Sequence, residues 1–152
     1  MNELLQTITL QQLQEELKKR LLKSSHADFW NQKVLPLSEA IFSLILPLRD
    51  QGLLFNPETK KVNKLSIDEV LRWTDLVSLR NLYFILKKSN DMGYLIDTEY
   101  AKDDKYAPID LTIIENYLHF YNVDLNNPIA EFPIRNYNLN QGIGSVLEDL
   151  MS

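Results

Sequence analysis

Six lysines in two groups, Lys18, Lys19 and Lys23, then Lys60, Lys61 and Lys64, are the side chains best suited by type and spacing to do chemistry here. That chemistry is electrostatic. An ammonium group neutralises a phosphate as a point charge, and a cluster of them can follow a nucleic-acid backbone. Arg20 lies within the first group, and Lys87 and Lys88 make a third. The competing reading, solvated helix ends where cations complement the helix dipole, is the favoured one. Charge distribution narrows the choice further. The chain carries a net charge of −5. Residues 1–94 hold thirteen Lys or Arg against eleven Asp or Glu, whereas residues 95–131 hold two against eight. Phosphate contact therefore belongs to the first two thirds, and any DNA binding is expected to be weak. Tyr94, Tyr100 and Tyr106 have the rings to stack on single-stranded bases, but the acidic residues around them favour a protein-contact loop.

Acid–base, nucleophilic and metal chemistry find no matching residues. A phosphate-binding loop needs GxxxxGK[ST], because backbone amides in a glycine-rich turn must cradle the phosphate oxygens. Gly52, Gly93, Gly142 and Gly144 stand outside that frame. The absence of cysteine removes disulfides, thiolate metal sites and a cysteine nucleophile. His26 and His119 lack the spacing of zinc ligands. His26, after two serines, is expected to be solvated; His119, beside Tyr117, Phe120 and Tyr121, is expected to be partly buried and hydrogen-bonded. The carboxylate pairs Glu15–Glu16, Asp68–Glu69, Asp103–Asp104 and Glu148–Asp149 are sequence neighbours. On a helix such neighbours project about 100° apart and do not share a proton. The sequence thus assigns no catalytic residue, no cofactor and no metal ligand.

The elements that must position these groups are helical. Residues 1–152 read as a single domain, with hydrophobic content of 45% and charged content of 24%. Apolar runs fall well short of the roughly 18 residues of a membrane span, and Asn2 and Glu3 do not suit a secretory signal. A soluble, cytoplasmic chain is the expectation. Thr9 and Gln12 make a capping box for a first helix reaching about Lys23, with Leu10, Leu13, Leu17, Leu21 and Leu22 on one face. From Phe29 the apolar residues Trp30, Val34, Leu37, Ile41, Leu44, Ile45 and Leu48 recur at three and four, and Asp28 suits the N-cap. Leu35 and Leu46 widen that stripe until the helix must be wrapped by others. Pro36 and Pro47 should bend or break it, and Gly52 can stop it in the left-handed conformation.

Ser66 and Glu69 form a second capping box, followed by a re-cap at Asp75 and a stripe of Leu76, Leu79, Leu82, Tyr83 and Leu86. Ser89–Pro108 carries the weakest pattern, with Gly93 ending a helix and a solvated bend at Asp103–Tyr106. Asp110 caps a further helix around Ile114 and Leu118. The last helix is expected from about Leu139, burying Ile143, Val146, Leu147 and Leu150. The sum is an all-α fold, a compact bundle of five to six or more helices with a long central helix and short loops.

The pair Phe29-Trp30, the turn Leu37-Ser38-Glu39-Ala40 and the run Leu48-Arg49-Asp50-Gln51-Gly52 resemble the all-α domain of type IV secretion coupling proteins, the TraD-like ATPases of conjugation. The later order agrees: a leucine-rich helix at Ile67–Leu86, Ile114–Leu118 (IENYL), then Asn138–Leu150, so the likeness spans Thr9–Leu150. It implies a non-catalytic domain inserted in a RecA-like motor that forms a hexamer at the inner membrane. Its partners would be relaxosome or effector proteins and possibly DNA, with the six lysines as contacts. An inserted domain should also bring its two ends together. The alternative is a free-standing helical DNA-binding or adaptor protein.

Lacking a phosphate loop, the purified chain should neither bind nor hydrolyse ATP. Equilibrium binding of a fluorescent ATP analogue checks this, and saturable micromolar binding would contradict it.

Overall fold

The computed structural model describes residues 1–25, 28–96 and 105–152, the side chains at 28, 29 and 31 excepted. Among the described residues there are six α-helices: α1 (Leu10–Lys23), α2 (Asp28–Asp50), α3 (Ile67–Leu71), α4 (Leu76–Met92), α5 (Thr112–Phe120) and α6 (Ile134–Met151). No strand occurs among the described residues; an isolated antiparallel bridge joins Phe55 to Lys61. The all-α expectation holds. His26, Tyr100, Asp103, Asp104 and the side chains of Asp28 and Phe29 lie outside the described set.

The central helix is α2, and α1, α5 and α6 pack around it. Val34, Leu37, Ala40, Ile41, Phe42, Leu44, Ile45, Leu46 and Leu48 are all buried, which occupies nearly its whole circumference. Neither proline breaks it. Pro36 removes the donor for the Gln32 carbonyl, but both residues lie on the exposed side, where water can take the place of the lost bond. The end of α2 is set locally. Gly52, at φ +70°, follows the helix, its N–H bonds the Arg49 carbonyl at 3.0 Å, and the Leu53 N–H reaches back to Leu48 at 2.8 Å. Those two bonds define a Schellman cap. Asn122, at φ +61°, ends α5 with the same pair of bonds from Asn122 and Val123.

The remaining start and stop signals largely act where the sequence puts them. Thr9 and Gln12 form the reciprocal capping box of α1. Ser66 accepts from the Glu69 N–H, and Asp75 from Ser78 N–H. Gly93 closes α4 at φ +81°. Asp110 accepts from both the amide and hydroxyl of Thr112, but the N-cap of α5 is Leu111, which makes no side-chain cap bond, so Asp110 is not the cap expected.

Three further expectations are corrected, and one turn is new. Leu22, expected on the apolar face of α1, is exposed. The chain opens with an unforeseen 3-10 turn at Leu4–Gln6 that buries Leu5. The last helix starts at Ile134 rather than Leu139. Its early residues are poor helix formers, and tertiary bonds hold them instead: Asn136 Nδ2 to the Tyr121 carbonyl at 2.8 Å, Asn140 Nδ2 to the Thr74 carbonyl at 2.7 Å. Third, Trp30 is half-buried rather than enclosed, its ring lying against Gly142 of α6.

Trp30→Ala should therefore cost about 2 kcal/mol, less than the roughly 3–5 kcal/mol of a fully buried tryptophan. Urea unfolding checks this: an unchanged midpoint would show that the ring contributes no packing.

Candidate functional site

All six candidate lysines are exposed. Lys23 and Lys64 stand toward opposite ends of α1, whereas Lys19 shares a depression with Leu4 of the 3-10 turn. Gln6 Nε2 donates to the Leu65 carbonyl and the Ile67 N–H to Asn2 Oδ1, so Lys64 lies by the 3-10 turn that leads into α1. Lys23 closes that helix, and the fourteen residues from Leu10 to Lys23 span about 20 Å. Lys60 and Lys61 occupy a tight turn in which Asn56 Oδ1 accepts from the Glu58 and Lys60 amides. Acidic neighbours dilute both groups: Lys60 Nζ lies 3.9 Å from Glu58, and Arg20 pairs with Glu16 at 3.1 Å. Lys19 shares a shallow surface depression with Glu15 and Glu16, and Lys18 another with Glu15 and Glu39. Lys18, Lys19 and Lys60 thus each stand beside carboxylates.

A better-formed feature is a groove of about 350 Å³ between α2 and α5. Gln32, Lys33, Pro36 and Glu39 come from successive turns of α2; Ile113, Asn116, Tyr117, Phe120 and Tyr121 come from α5. Both sets recur at three and four, so each helix turns one stripe toward the gap. Phe120 is 66% exposed, and the Lys33 ammonium stands 5.3 Å from the centre of its ring. The groove is amphipathic: an aromatic wall with a cation, an amide and a carboxylate spaced along it.

The aromatic wall is held from beneath. The Tyr117 hydroxyl donates to Asn140 Oδ1 at 2.5 Å, and the Tyr117 and Tyr121 rings lie 5.0 Å apart. Burial raises the Tyr117 phenol well above the ordinary tyrosine range, and neighbouring Tyr121 adds to the shift. Tyr121 is also raised by burial. Tyr83 is raised first by burial and then by its bond to Glu115, to which its hydroxyl donates at 2.8 Å. His119, by contrast, is exposed, because it falls on the side of α5 away from Ile114 and Leu118. Its expected burial is corrected.

Tyr106 is half-buried, not part of a solvated bend, and burial pushes its phenol up to about 12. Its hydroxyl donates to Asn90 Oδ1, which also accepts from the Ile109 amide, while Asn90 Nδ2 donates to the Ile109 carbonyl. A ring held this way is not a free stacking platform. Asn90 and Asn140 were invisible to sequence pattern; the available hint was a poor helix former inside an apolar helical stripe. No group of three His, Cys, Asp or Glu among the described residues is arranged to hold a metal ion, and no helix there is long and apolar enough to cross a membrane.

Comparison with protein-family models, with curated proteins and with solved structures returned no match.

The raised phenols fix an alkaline limit. Their folded values lie above the roughly 10 of a free tyrosine, so this contribution to stability is complete below about pH 10 and is lost as pH rises further. The phenolate absorbance of Tyr83, Tyr106, Tyr117 and Tyr121 should therefore appear together with loss of helical circular dichroism. Ionisation of all these tyrosines with the helices intact would contradict the packing described.

Proposed function

We propose that this chain is the non-catalytic recognition domain of a type IV secretion coupling ATPase. In this reading it works on the cytoplasmic face of a bacterial inner membrane, engaging relaxosome proteins, DNA or effector proteins before transport. ATP hydrolysis falls to a RecA-like motor region elsewhere in a hexameric parent. The observation that supports the reading most is the groove between α2 and α5. Its walls take Glu39 from Leu-Ser-Glu-Ala and Asn116 and Tyr117 from Ile-Glu-Asn-Tyr-Leu, two of the segments that carry the resemblance.

Other residues of the resemblance fix the frame. Ser38 donates to Gln14 Oε1 at 2.7 Å, linking α2 to α1. Arg49 Nη1 donates to the carbonyls of Leu5 and Ile8. Gln51 exchanges two hydrogen bonds with the Ala107 backbone. The likeness therefore rests on side chains with defined structural work, not on apolar periodicity alone.

A free-standing helical DNA-binding or adaptor protein is the second reading, and one distance favours it. Thr9 caps α1, while the Leu150 carbonyl accepts from Arg20, about 15 Å along the same helix. The two ends of the resembling span thus touch different turns of α1, whereas an insertion favours direct juxtaposition. The neighbouring coding sequence separates the readings: a Walker A motif upstream and a Walker B motif downstream support the coupling protein, and their absence supports the adaptor.

DNA binding should be weak and steeply salt-dependent under either reading. About four phosphate contacts give a log–log slope near −4 on duplex DNA. Charge reversal at Lys18, Lys19 and Lys23 should abolish the binding, while reversal at exposed Lys105, outside both lysine groups, should change it little. Titrations at several salt concentrations check this, and tight binding at physiological salt would contradict it.

A further inference from the structure

Arg80, in the second turn of α4, is 8% exposed and lacks a carboxylate partner among the described residues. Its Nη1 donates to the Ala130 carbonyl at 2.7 Å, and its guanidinium carbon lies 5.3 Å from the centre of the Phe132 ring. Nε is buried without an acceptor. Nη2 makes no hydrogen bond either, but is not sealed from solvent. Taking a guanidinium out of water is costly unless a counter-charge and complete hydrogen bonding compensate it. Here one carbonyl and one ring face are what the fold supplies.

This guanidinium lies in the wall of an open cleft of about 420 Å³ between α4 and the segment entering α6. Val77, Ile129 and Ile134 form an aliphatic rim, and Phe132 and Tyr137 line the interior. Ile129 and Ile134, 84% and 71% exposed, are two of the three most exposed large apolar side chains among the described residues. Isolated exposed aliphatics need no explanation; a group of them around an under-compensated buried cation does. Glu131 also reaches the rim, yet is exposed and forms no ion pair with Arg80.

We propose that the cleft is a docking site for an acidic segment of a partner protein, in which an Asp or Glu side chain flanked by aliphatic residues meets Arg80. The carboxylate would supply the missing counter-charge and accept from Nη2, the nitrogen left open. The flanking aliphatic side chains would cover Ile129 and Ile134. A planar guanidinium matches a carboxylate in charge and shape, and an apolar rim that excludes water strengthens the pair. A nucleic-acid backbone fits less well, since the rim is aliphatic and its lining offers no second cation to follow a line of phosphates. This inference is independent of the coupling-protein reading.

The test selects a bead-displayed random dodecapeptide pool against the full chain. Enriched peptides should carry Asp or Glu beside Leu, Ile, Val or Phe. Replacing that acid by its amide should weaken binding at least tenfold in fluorescence anisotropy. Arg80→Gln should remove the preference for acid over amide, but that change can also loosen the fold. Ile129→Glu and Ile134→Glu keep the test decisive, because these side chains stand in solvent: each should weaken the same peptide at least tenfold with the helical signal unchanged. Several outcomes would overturn the proposal: no enriched peptide, enrichment without an acid, equal affinity for acid and amide, or rim variants that bind like the parent. So would self-association abolished by Glu131→Gln, since the cleft would then join two copies of the chain.

Discussion

A helix that is apolar on nearly every side cannot end a fold; it has to be the middle of one. Burying α2 from Val34 to Leu48 removes so much hydrocarbon from water that α1, α5 and α6 follow as the layer around it. That constraint also explains how two prolines survive inside a helix. Each sacrifices a backbone hydrogen bond, yet apolar contact on the surrounding faces favours a continuous helix. The exposed position of Pro36 leaves the orphaned carbonyl beside water rather than in the core.

Around this apolar centre a second kind of interaction sets the positions of connecting segments. Arg49, Gln51, Asn90 and Asn140 each send a side chain to backbone groups of a distant segment. Such clamps fix irregular chain that has no hydrogen-bond ladder of its own. Asn90 holds Ile109 on both its amide and its carbonyl, so the run before α5 is set against α4. Asn140 joins α5 and α6 to Thr74 in one buried cluster, and the aromatic wall of the α2–α5 groove rests on it. Rigidity beneath the groove leaves Phe120 and Lys33 displayed at its edge.

The surface divides by chemistry. Lysines with acidic neighbours give a diffuse field suited to weak, screened attraction. The two grooves offer something more specific. One pairs aromatic faces with polar side chains across two helices, and the other surrounds a buried guanidinium with aliphatic side chains. Recognition of a protein chain suits both better than strong binding of a polyanion does, because each depends on apolar contact as much as on charge.

Local rules were enough to read the all-α class, the capping box at Thr9, the left-handed stops at Gly52 and Gly93, and the buried stripes of α2, α4 and α6. Each of these depends on residues within one or two turns of one another, so the order of residue types carries the answer. The early start of α6, the half-burial of Trp30, the exposure of His119 and the placement of Lys64 beside the 3-10 turn depend on which segments meet in space. Asn136 and Asn140 disfavour a helix by themselves and join one through carbonyls contributed by Tyr121 and Thr74. The cleft at Arg80 belongs to the same class. An arginine within an amphipathic helix reads as a solvated cation until Ala130 and Phe132, fifty residues away, close over it. Periodicity records which face of a helix is covered, but only tertiary packing chooses what covers it, since the hydrophobic effect is non-directional and a hydrogen bond between distant residues leaves no local pattern.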